Sequence, residues 1–141
     1  MKTLVLFYSL SGATRRYARA YAREADADLV EIIETKKRTG LSAFVPGCVQ
    51  AMRASAVPIV PPTVDWTAYS HVVLAAPVWA GRPAPAINTA AALVPAGTRV
   101  TIALISASGK GNADALARAL TGRGCEVGDI EQVKGGRAVA E

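Results

Sequence analysis

The feature that most limits what this chain can fold into is a set of short apolar runs, each the length of one β-strand. Leu4 to Tyr8 is unbroken, and the segments Asp28 to Ile33, His71 to Ala76 and Arg99 to Ser106 are nearly so. A half-exposed strand alternates apolar and polar residues, so a continuous run marks a strand covered on both faces, as in a parallel sheet. Stretches of helical character separate the runs. Gly12 to Glu24 sets Ala13, Tyr17, Ala20 and Tyr21 on one side and Arg15, Arg19 and Arg23 on another, and Ala84 to Val94 is alanine-rich and ended by Pro95 and Gly97. A further helix is predicted from Ala113 to Leu120 and a weaker fifth strand from Cys125 to Val133. Strands alternating with helices predict one α/β domain over residues 1–141, built on an open parallel sheet with helices on both faces.

Composition removes several classes of function. At 141 residues and 51% hydrophobic content the chain supports a single core. Cys48 and Cys125 lie far apart with no C-x-x-C or His pair, which suggests neither a disulfide framework nor a zinc site and fits a reducing cytoplasm. No run reaches membrane-spanning length, and Met1 to Ala13 only superficially imitates a secretory signal, because cleavage would remove the first strand. Sixteen Lys and Arg against eleven Asp and Glu give a net charge of +5. The basic residues are not interleaved with aromatics, so nucleic acid is not the expected partner. His71, the only histidine, is read as a structural residue at a strand's start.

Three loops carry the chemistry. After the first strand, Ser9-Leu10-Ser11-Gly12-Ala13-Thr14 places three hydroxyls around a glycine at the start of a helix. The first amides of a helix have no intrahelical acceptor and carry partial positive charge, so such a turn suits a phosphate. It is neither the Walker nor the Rossmann glycine pattern, and a plain Ser/Thr helix cap explains the six residues equally well. After the third strand, Pro77-Val78-Trp79-Ala80-Gly81 joins a stiff backbone to an aromatic face on which a planar heterocycle can stack. After the fourth, Ser106-Ala107-Ser108-Gly109 is small enough for backbone amides to approach a ligand edge.

The pattern [ST]-x-[ST]-G-x-T after a first strand, followed by Pro-x-Trp-x-Gly after the third, resembles the flavodoxin family over nearly the whole chain. The resemblance implies a five-stranded sheet in the order 2-1-3-4-5. It also implies non-covalent FMN, its phosphate held by Ser9, Leu10, Ser11, Gly12, Ala13 and Thr14. The flavin ring would lie along Pro77, Val78, Trp79, Ala80 and Gly81, with its pyrimidine end at Ser106, Ala107, Ser108 and Gly109. The implied role is electron transfer to a redox partner protein or a small quinone-like acceptor, with no side chain acting as acid or base. An FMN-dependent NAD(P)H or quinone reductase and a flavin-free binding protein are the alternatives. The chain departs from the family in being basic and in having no aromatic in its third loop, so Trp79 stands alone unless Trp66 or Phe44 reaches the cleft.

The final helix that follows the fifth strand in such proteins has no counterpart in Lys134 to Glu141, which holds two glycines and is too short to be a stable helix. A bare sheet face exposing Ile102, Leu104 and Val127 is therefore expected, covered by a homodimer contact or a partner protein. The alternative cover is part of the long Thr35 to Pro62 crossover, where Leu41, Phe44, Val49 and Met52 are its apolar residues.

Overall fold

The computed structural model describes residues 1–36, 46 and 48–135. β1 (Lys2–Phe7) leads through a tight loop into α1 (Ala13–Ala25), and β2 (Asp28–Glu31) follows. Residues 48–52 are helical (α2), and a single 3-10 turn, Trp66–Ala68, precedes β3 (Tyr69–Trp79). Then come β4 (Arg82–Pro83), α3 (Pro85–Ala91), β5 (Arg99–Ser106), α4 (Asp114–Gly122) and β6 (Glu126–Lys134). The five long strands run parallel in the order β2-β1-β3-β5-β6, which is the predicted arrangement, and β4 is a two-residue antiparallel addition to the end of β3.

Each central strand divides its apolar residues between two cores. Leu4, Leu6, Val72, Leu74, Val100, Ile102 and Leu104 face the side covered by α3 and α4. Val5, Phe7, Val73, Ala75, Ala103 and Ile105 face α1. On α1 the fully buried stripe is Thr14, Ala18 and Ala22, with Ala13, Tyr17 and Tyr21 partly buried beside it. Ala20, expected on that face, is exposed.

Several boundaries differ from those read in the sequence. β2 ends at Glu31 rather than Ile33, because Glu31 is paired with Phe7, the last residue of β1, and Ile33 beyond it is exposed. β3 runs on through Pro77 and Trp79, since Pro77 lies in register beside Ile105 and needs no donor there. What read as a loop at Pro77 to Gly81 is thus strand followed by a hairpin. Val49 and Met52 are exposed, and it is Ala51 and Cys48 that cover the core; Leu41 and Phe44 lie outside the described residues. Ile102 and Leu104 are fully buried and Val127 packs on the same core, so the apolar patch expected from them is absent. A doubly covered strand buries both faces, and its apolar run says nothing about which residue faces which helix.

His71 sits where a structural role places it, near the amino ends of β1, β3 and β5. Its Nε2 is 2.8 Å from the Thr101 hydroxyl and its Nδ1 3.4 Å from that of Thr3. Burial, aided by the positive charge of Arg99, pushes its pKa down.

Candidate functional site

The carboxyl ends of β1, β3 and β5 open onto one cleft of about 210 Å³, lined by Ser11, Ala13, Thr14, Pro77, Val78, Trp79, Ile105, Ser106, Ala107 and Gly135. Strand order reverses between β1 and β3, and the mouth of such a reversal is where open α/β sheets place their ligands.

The first wall is the turn between β1 and α1. Gly12 takes φ 104°, a conformation that glycine reaches without Cβ strain, and its amide donates to Ser9 Oγ at 3.0 Å. That geometry starts α1 at Ala13, so the amides of Ala13 and Thr14 have no intrahelical acceptor. Thr14 is 1% exposed and lies at the cleft floor, while Ser11 is exposed at its rim. The first turn holds no acid; it carries Arg15 and Arg16 instead, the reverse of what the helix dipole favours for side chains. Arg15 is turned sideways into a two-point pair with Glu31 at the end of β2, Nε to Oε1 at 3.3 Å and Nη2 to Oε2 at 2.6 Å. This row of arginines, expected to face water, thus spends its first member tying α1 to β2.

The second wall is the β3–β4 hairpin. Val78 pairs with Pro83 and Trp79 with Arg82, leaving Ala80 and Gly81 as a two-residue turn with φ 50° and 81°, the positive pair of a type I′ hairpin. Trp79 lines the cleft but is only 4% exposed, and its ring meets Tyr8 edge-on at 5.7 Å and 84°. The indole is a core group in this structure, so the open stacking face expected of it is not met. Trp66 does not replace it, because it lines a hollow of about 300 Å³ at the opposite edge of the sheet with Tyr69 and Pro95.

The third wall is the loop after β5. Ser106 Oγ accepts from the Lys110 amide at 3.0 Å, and Ser108 Oγ from the same amide at 3.3 Å, so both hydroxyls brace their own loop. The Asn112 amide donates to Gly81 O at 2.7 Å, clamping this loop to the hairpin. A Cβ on Gly111 would lie 2.7 Å from Val78, which is why the backbone here must be glycine.

Of the residues singled out in the sequence, Ser11, Ala13, Thr14, Pro77, Val78, Trp79, Ser106 and Ala107 meet at the cleft. Ser9 and Leu10 face a neighbouring hollow of about 160 Å³ on the β2 side, with Glu31, Glu34 and Lys36. Gly12, Ala80, Gly81, Ser108 and Gly109 shape the turns behind the walls rather than lining the cleft. Two lining residues were not foreseen. Ile105 reads as an ordinary core position, and Gly135 enters because the chain beyond β6 turns in against β5, its amide donating to Ser106 O at 2.8 Å. Among the described residues no group of three or more His, Cys, Asp or Glu could hold a metal ion.

No protein-family model and no curated protein matches the chain by sequence. Solved structures do match its shape. The FMN complex of a flavoprotein from Lactobacillus acidophilus NCFM superposes with a TM-score of 0.73 at 24% identity, covering 92% of this chain and 91% of that one. A protein described as a flavoprotein from Bacteroides uniformis ATCC 8492 gives 0.72 at 23% identity, covering 92% and 88%. A flavodoxin from Streptococcus pneumoniae TIGR4 gives 0.51 at 12%, covering 94% and 85%. The fold is flavodoxin-like. In this flavodoxin-like chain the three walls of the cleft come from the loops that the sequence singled out, and no described helix is long and apolar enough to cross a membrane.

Proposed function

We propose that the cleft binds FMN and that the protein is a flavodoxin-like electron-transfer protein. The observation that carries this reading is the start of α1, where Gly12, the amides of Ala13 and Thr14 and the hydroxyls of Ser11 and Thr14 meet at the switch point with no acid in the first turn. A dianionic phosphate there gains amide dipoles and charge-assisted hydrogen bonds that a neutral hydroxyl would not. The FMN complex of the Lactobacillus acidophilus flavoprotein of the same fold supports the choice of ligand. Pro77 and Val78 on one side and the small Ser106 and Ala107 on the other line the part of the cleft where a planar ring would lie.

FMN, when bound, supplies one- and two-electron redox chemistry. The chain's own residues bind and orient: the α1 turn anchors the phosphate, and the hairpin and third loop, clamped through Asn112 and Gly81, set the spacing between the walls. A cleft of about 210 Å³ is smaller than the roughly 300–1,000 Å³ that encloses a drug-sized ligand, so the bound cofactor remains partly open to solvent and to a redox partner.

The burial of Trp79 favours a second reading of the same site. With no free aromatic in the hairpin or third loop, nothing in the described walls would sandwich the ring, which leaves room for a small quinone-like acceptor and hence a reductase. Titrations with FMN and riboflavin test the cofactor: the phosphate cradle predicts much tighter FMN, and equal dissociation constants contradict it. Oxidation of NADPH with a quinone by the loaded protein distinguishes the reductase from the carrier.

A further inference from the structure

Among the described residues the α1 face of the sheet is only partly covered. α1 packs over β1, β2 and β3, and among the described residues no other helix lies on that side of β5 and β6. What stands there is amphipathic. Tyr17 and Tyr21, on successive turns of α1 with ring centroids 6.1 Å apart, lie beside β6, and the Tyr17 hydroxyl donates to Glu131 Oε2 at 2.5 Å. Tyr21 has Glu131, Arg99 and Asp129 within electrostatic reach. Arg99 and Asp129 are both exposed, and among the described residues neither forms an ion pair. Among the described residues β6 pairs only with β5, which leaves its outer edge without a strand partner along nine residues, about 30 Å at ~3.3 Å each.

We propose that this face is the contact of a two-fold homodimer in which Arg99 of each copy meets Asp129 of the other. An isologous contact turns one patch onto itself, so residue i meets j and j meets i. Among the described residues this patch carries both signs, the guanidinium of Arg99 beside the carboxylates of Asp129 and the Tyr17-bonded Glu131, so a second copy can set opposite charges against each other where a purely acidic or purely basic partner would leave one sign opposed. Tyr and Arg are also the residue types that concentrate binding energy at interface centres. Arg99 opens β5 at the edge of the sheet away from the cleft, so this contact leaves the three site loops accessible. The proposal does not depend on the cofactor.

Sedimentation velocity of the full chain over a micromolar concentration series tests it. The expected result is a dimer for the unmodified protein and, for Arg99→Glu and Asp129→Arg separately, a dimer dissociation constant raised about tenfold or more, as two opposed pairs become two repulsions. Both residues are exposed, so thermal melts of the two variants should stay close to that of the parent. Mixing the two variants should restore the dimer. In the mixed dimer one contact joins the carboxylate introduced in the first variant to the guanidinium introduced in the second, and the other contact is the original pair of Arg99 and Asp129. A parent that is monomeric throughout overturns the proposal. So do single variants that remain as dimeric as the parent, or a mixture of the two that stays monomeric.

Discussion

Replacing Thr14 by Val removes one hydroxyl from the proposed phosphate cradle and little else. The two side chains share a shape, and at 1% exposure Thr14 is held by the packing of α1 on the sheet, so the backbone amides of Ala13 and Thr14 stay in place. A hydrogen bond to a charged group is worth about 1.5–3 kcal/mol, which at 1.4 kcal/mol per decade corresponds to roughly 10- to 150-fold in affinity. Isothermal titration should therefore show FMN weakened by that factor, with riboflavin, which lacks the phosphate, changed little. Loss of both ligands in equal measure would refute the reasoning, because the hydroxyl would then be acting on the ring or on the fold. A melting temperature close to the parent's is the control that separates those two.

Three other outcomes follow from the same geometry. Ala80 holds φ 50° at an exposed turn position, and Asn, which tolerates the left-handed region and favours type I′ turns before Gly, should stabilise the protein by about 0.5–1 kcal/mol, read as a melting temperature about 2–4 °C higher. Burial and the hydrogen bond to Glu131 raise the Tyr17 pKa above its unfolded value of 10.0; this stabilisation is complete below that pH and is lost as pH climbs above it, so Tyr17→Phe should flatten the alkaline limb of stability measured by denaturant titration. With a net charge of +5 and no acid in the three cleft loops, a redox titration of the FMN complex should give a fully reduced couple less negative than that of acidic flavodoxins, an effect limited to charges within about 10 Å at moderate salt.

How much was legible in the sequence depended on burial. β5 runs from Arg99 to Ser106 as predicted, because an apolar run of that length flanked by glycine-containing turns has little else to become. The alternation of strands and helices pointed to an open parallel sheet, and the resemblance to the flavodoxin family supplied its strand order. The facing of Ile102 and Leu104 was not legible, since a strand buried on both sides has no polar alternation to orient it. Nor was the extension of β3 through Pro77, which local propensity disfavours and which the register with Ile105 permits. The turn at Ser11 to Thr14 and the helix start after it were readable because hydroxyls and a glycine sit directly before the helical pattern in the chain. Trp79 misled for the opposite reason: an indole beside Gly81 suits a stacking wall or a core anchor equally well, and its burial and its contact with Tyr8, just past the end of β1, are visible only in the fold.

The direct test of the central claim is the absorbance spectrum of the protein after incubation with FMN and removal of unbound ligand. One FMN retained per chain, displaced far more readily from Thr14→Val than from the parent, is the expected result. A colourless protein that retains no FMN at micromolar concentrations, while its melt shows it folded, would contradict it.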